Sequence, residues 1–74
     1  MRVPKIDVEA TAKNIRYYRK EEGFTQMELA DCFGFTTNQM VWRWENGKAL
    51  PSVDNLVVLA YVLGVSIDDL IVRK

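Results

Sequence analysis

Four glycines, Gly23, Gly34, Gly47 and Gly64, each close a segment whose apolar residues recur at helical spacing. A glycine just past the last periodic residue is a common helix stop, so the chain is cut into helix-length pieces with little between them. The start signals agree. Asp7 stands before Val8, Ala12, Ile15 and Tyr18 or Arg19, which follow one side of a helix as far as Glu22. Thr25 and Glu28 make a Thr-x-x-Glu capping box for a short second helix, whose apolar side is Met27, Leu29, Ala30 and Phe33. After the break at Leu50-Pro51, Ser52 caps a helix in which Leu56, Leu59, Ala60 and Leu63 fill the i, i+3, i+4, i+7 template. Ser66 with Asp69 opens a last short helix carrying Ile67, Leu70 and Ile71. The predicted helices cover residues 7–22, 25–33, 37–46, 52–63 and 66–72, behind an N-terminal arm of residues 1–6. The expected fold class is all-α, a compact five-helix bundle in one domain with short connections.

Composition narrows the functional classes. With 74 residues the chain has room for one core. Its longest apolar run, Leu56 to Leu63, is far too short to span a bilayer, and the first residues lack the apolar centre of a secretory signal. A cytoplasmic protein with no membrane partner is expected. The single cysteine, Cys32, cannot form an internal disulfide and reads as a small buried hydrophobe in a reducing compartment. There is no histidine, so the usual zinc sites are excluded, and no nucleophile–base pair or Gly-rich phosphate loop stands out. No enzyme, metal, cofactor or small-molecule ligand is expected.

The formal charge is zero, which by itself counts against a nucleic-acid binder. Its distribution is uneven: residues 1–20 carry a net +4, residues 21–48 a net −3 and the remainder −1. Any binding face must therefore be assembled by folding.

The segment 34–47, GFTTNQMVWRWENG, sets two tryptophans two residues apart. On a helix that spacing is a turn of about 200°, so the rings point to nearly opposite sides. With Val41 at zero, Trp44, Thr37 and Met40 fall in one apolar sector within about 100°, which assigns Trp44 to the core. Trp42, Gln39, Arg43 and Asn46 lie opposite, and Asn38 stands at the edge of that outer face. Asparagine and glutamine can pair with an adenine edge in a major groove, arginine with guanine, and all three with phosphate. A polar outer face is also what any surface helix of a small domain carries. The helix before it tilts the balance, because a short capped helix, a turn at Gly34 and a helix with a polar N-terminal half make the arrangement that enters a groove.

The chain resembles the XRE-type helix-turn-helix regulators, the family that includes the lambdoid phage repressors and Cro proteins. The matching residues are Ile15-Arg-x-x-Arg19, Gly23-Phe-Thr-Gln26, Leu29-Ala30, Gly34, Trp44-Glu-Asn-Gly47, Pro51-Ser52, Leu56, Leu59-Ala60, Leu63-Gly-Val-Ser66 and Asp69-Leu70. The resemblance implies a lambda-repressor-like DNA-binding domain and sequence-specific binding to double-stranded DNA. It carries base-reading roles to Asn38, Gln39 and Arg43. Backbone contacts go to Gln26 at the start of the second helix and to Asn46 and Lys48 beyond the third, with Thr37 and Trp42 as further candidates. It also implies a partly buried ion pair between Arg19 and Glu45. One departure stands out: four residues separate Thr36 from Val41, where the commoner family pattern has three. The extra residue is assigned to the turn, which makes Thr37 the cap of the third helix.

Other readings stay open at this level. Trp42 can lie against DNA, pack on a neighbouring loop or meet a second subunit. A weak homodimer is expected through exposed members of the last two helices such as Val58, Val62 and Val72. A protein-interaction module of the antitoxin or adaptor kind, built on the same scaffold, is the alternative to a DNA-binding repressor.

Overall fold

The computed structural model describes residues 1–74, and its regular elements are five helices. They are α1 (Val8–Glu21), α2 (Gln26–Cys32), α3 (Gln39–Glu45), α4 (Val53–Leu63) and α5 (Ile67–Leu70). Four of the five are started by side-chain caps. The Ala10 amide donates to Asp7, the Asn55 amide to Ser52, and the pairs Thr25/Glu28 and Ser66/Asp69 form complete capping boxes. Such caps matter in a chain this small, because α2 and α5 are too short to persist on helix propensity alone.

α3 is the exception. It begins at Gln39, two residues later than Thr37, and its N-cap Asn38 makes no capping bond. The reason is that the Asn38 amide is turned away to Gln26, so the nearest substitute is a long bond from the Gln39 amide to the Thr37 hydroxyl, 3.4 Å. Residues 34–38 form the turn, opened by Gly34 at φ +75°, a conformation that a side chain would strain.

One set of residues holds the bundle together. Ile15 from α1, Leu29 and Ala30 from α2, Val41 and Trp44 from α3, Leu59 and Leu63 from α4, and Leu70 from α5 form the buried cluster. Trp44, only 1% exposed, meets Phe33 edge-on at 5.2 Å and Phe35 at 6.1 Å. Its indole therefore fixes the rotation of α3 against α2 and the turn. Leaving an alanine there would cost roughly 3–5 kcal/mol.

Three apolar assignments are corrected. Cys32 is exposed rather than buried, and its thiol donates to the Glu28 carbonyl at 3.5 Å. Leu29, Ala30 and Phe33 define the inner sector of α2, and Cys32 and Met27 lie about 110° to either side of its centre. Met27 and Met40 are likewise exposed. On α4, Val58 and Val62 are half-buried, as is Val72, whereas the exposed residues are Val53, Val57 and Tyr61.

The ends of the chain also depart from expectation. α5 stops at Leu70, because Ile71 turns extended and residue 72 is claimed from two sides. The Val72 amide donates to the buried Thr11 hydroxyl at 3.0 Å, and the Val72 carbonyl accepts from Asp7 at 2.7 Å. Within the N-terminal arm, residues 5 and 6 pair antiparallel with 74 and 73, through the bridge Ile6–Arg73 and a 2.7 Å bond from the Lys74 amide to the Lys5 carbonyl. The Asn14 side chain donates to the carbonyls of Asp69 and Leu70, closing the free end of α5.

Candidate nucleic-acid interface

With Trp44 and Val41 inward, the opposite stripe of α3 is open. Asn38, Gln39, Trp42, Arg43 and Asn46 are all exposed, as are Thr37 in the turn and Lys48 beyond the helix. Gln39, Met40 and Arg43 line a shallow cleft with Phe35, Thr36 and Thr37, so the first turn of α3 and the turn before it form one continuous surface. Trp42 is 46% exposed and its ring stacks on no other aromatic ring. The Asn46 side-chain amide donates one hydrogen to the Trp42 carbonyl at 2.9 Å and so caps the end of the helix, with its second hydrogen left for another acceptor.

Beneath this stripe lies a polar chain that runs from the core to the surface. Arg19 binds Glu45 through two bonds, Nε to Oε2 at 2.6 Å and Nη2 to Oε1 at 2.9 Å, and its third donor reaches the Phe24 carbonyl at 2.8 Å. Both side chains are buried, and no buried side-chain nitrogen or oxygen in the protein lacks a partner. The Gln26 amide donates to Glu45 Oε1 at 3.1 Å, and the Asn38 amide donates to Gln26 Oε1 at 3.0 Å.

The direction of this chain is dictated by chemistry. An ionised carboxylate accepts only, so Gln26 must offer its NH2 to Glu45 and turn its oxygen outward. Asn38 must then offer one NH2 hydrogen to that oxygen. What remains on Asn38 is the carbonyl oxygen and the other amide hydrogen, the donor–acceptor pair that an adenine edge takes.

Among the residues singled out from the sequence, Asn38, Gln39 and Arg43 thus share one open surface. Gln26 is half-buried under it and linked to it. The linkage from Gln26 to Asn38 and Glu45 was not readable in advance, since the partners lie 12 and 19 residues away and nothing in their spacing marks them. Glu28 has a local effect: hydrogen bonds from the Thr25 amide and hydroxyl hold its carboxyl below the usual carboxylate range.

Residues 15–70 match the helix-turn-helix family. The chain belongs to the helix-turn-helix family. It is 36% identical over 59 residues to the SPbeta prophage-derived uncharacterized HTH-type transcriptional regulator YonR of Bacillus subtilis (strain 168), a match covering 80% of this chain. The chain spans about half of that relative, 54% of its length. Among solved structures it is similar to the restriction-modification controller protein C.AhdI of Aeromonas hydrophila, at 26% identity and a TM-score of 0.77 over 86% of this chain and 96% of that one. ClgR, the clp gene regulator of Corynebacterium glutamicum, superposes at a TM-score of 0.75 with 27% identity, over 84% of this chain and 65% of that one. The iron(II) form of HppE also contains the fold, at 29% identity and a TM-score of 0.79. That likeness covers 88% of this chain but 34% of HppE. The helix-turn-helix of this chain is α2, the Gly34–Asn38 turn and α3.

Proposed function

We propose that this chain is a sequence-specific, double-stranded-DNA-binding transcriptional regulator, acting as a repressor, that reads the major groove with α3. The observation that supports this reading is the open stripe of α3, on which the exposed Asn38 is held by its bond to Gln26. Asn38, Gln39 and Arg43 contact base edges; Arg43 pairs with guanine and the amides with adenine. Thr37, Trp42, Asn46 and Lys48 hold phosphate and sugar, joined by the backbone amide of Gln26 at the start of α2 and by its remaining side-chain hydrogen. The mechanism is non-catalytic, and a DNA-bound regulator works in the cytoplasm. No helix is long and apolar enough to cross a membrane.

Base pairings each discriminate by roughly 1–3 kcal/mol, so three side chains from one module give limited selectivity. A weak homodimer doubles it. Val53, Val57 and Tyr61 follow one side of α4 at i, i+4, i+8 and are 75%, 55% and 87% exposed, which makes this side the surface for a second copy.

Selection of bound duplexes from a random pool tests the reading. The native chain should enrich one motif, and Arg43→Ala and Gln39→Ala should each relax it at a single position. The adaptor alternative draws on the half-exposed Trp42 and the zero net charge. It predicts no enrichment, and binding to protein that is insensitive to salt, whereas phosphate contacts make affinity fall steeply with salt.

A further inference from the structure

Four of the nine cations outside the buried ion pair sit at the two chain ends. Arg2, Lys5, Arg73 and Lys74 lie on residues 2–5 and 71–74, which line one open cleft. The Ile6–Arg73 bridge, flanked by bonds from Asp7 to Val72 and from Lys74 to Lys5, makes this a short two-stranded ribbon. It is anchored from below by the hydroxyl of Thr11, a buried residue of α1, which accepts from the Val72 amide. In antiparallel pairing, opposed residues stand on one face, so Lys5 and Lys74 bring like charges together. None of the four cations has a carboxylate within 4.0 Å, because the protein's one ion pair is Arg19–Glu45. Nearby Asp7 is engaged in capping α1.

The ribbon is placed beside the end of α3. Lys74 shares a cleft with Asp7, Val8, Glu9 and Gly47, and Gly47 follows the C-cap of α3 and precedes Lys48. It also lies outside residues 15–70, the part that the chain has in common with its family.

The geometry points to a second DNA contact: the terminal ribbon clamps phosphates flanking the base pairs that α3 reads, using Arg2, Lys5, Arg73 and Lys74. This rests on the DNA-binding reading above. A duplex carries about one negative charge per 1.7 Å of axis, so adjacent phosphates relieve the Lys5–Lys74 repulsion that the free protein bears. Since every phosphate is alike, the ribbon adds affinity and salt dependence without base preference.

The test measures affinity for the selected duplex over a salt series, for the native chain and for the combined variant Arg2→Gln, Lys5→Gln, Arg73→Gln, Lys74→Gln. The slope of log affinity against log salt should become shallower by about 0.9 for each phosphate released, roughly 2–4 in all, with the enriched motif unchanged. Ethylation interference on the native complex gives a second readout that needs no variant: interfering phosphates should extend past the α3 footprint on one flank. An unchanged slope with no flanking interference, in a native chain that does bind the duplex, overturns the ribbon contact and leaves the reading of α3 standing. A changed motif would also overturn it, since a phosphate clamp reads no sequence. A native chain that binds no duplex removes both.

Discussion

Arg19 and Glu45 form a buried pair that ties the fold to the surface proposed to read DNA. Two buried opposite charges with bidentate geometry tie α1 to the end of α3, and each guanidinium nitrogen of Arg19 and each carboxylate oxygen of Glu45 has a partner. Such a pair adds less net stability than its attraction suggests, yet breaking it strands a charge at roughly 3–5 kcal/mol. Arg19→Ala should therefore lower the thermal midpoint steeply, and a midpoint unchanged by calorimetry would show that the pair carries no structural weight. Gln26→Met separates the two roles. It keeps the volume but deletes the link to Asn38, so the fold should hold while base preference at the Asn38 position relaxes in a selection experiment. Trp44 and the ion pair were legible because an inward wheel position and a family likeness both pointed to them. The Gln26–Asn38 bond was not, since it joins side chains across a turn whose path no periodicity records.

At the scale of the element, local chemistry sets where helices begin. Asp7, Thr25, Ser52 and Ser66 are caps that the sequence displays openly, and Ser52→Ala should destabilise the fold by about 1 kcal/mol, read by chemical denaturation. α3 shows the opposite case. Its expected cap, Thr37, gives only a 3.4 Å bond, because Asn38 serves a partner on α2 rather than its own helix end. Likewise the ends of α5 and the N-terminal segment are decided by a long-range pairing of residues 5–7 with 72–74, which alternation in so short a stretch cannot announce. The α2 capping box carries a pH dependence. Glu28 is depressed in the folded chain, so its contribution is present above the unfolded carboxylate pKa and is lost as pH falls through the lower folded value. Between those two values the acid-side loss of thermal stability should be smaller in Glu28→Gln than in the native chain.

For the whole molecule, zero net charge hides a separation of roles. Asp7, Glu28 and Asp69 serve helix caps and Glu45 the core ion pair, while Arg2, Lys5, Arg73 and Lys74 gather at the ribbon and Arg43 and Lys48 lie on and beyond the outer side of α3. The α4 stripe stands apart from both surfaces in chemistry, being apolar. If the proposed dimer forms through this stripe, Tyr61→Asp should shift its sedimentation to that of a monomer without altering melting, and monomeric sedimentation of the native chain at high concentration would remove that interface. The central claim, that the outward stripe of α3 reads bases, is met most directly by a heteronuclear NMR titration of the native chain with the selected duplex. The account predicts intermolecular contacts from the side chains of Asn38, Gln39 and Arg43 to base-edge protons. Contacts confined to α4, or a spectrum unmoved by DNA, would contradict it.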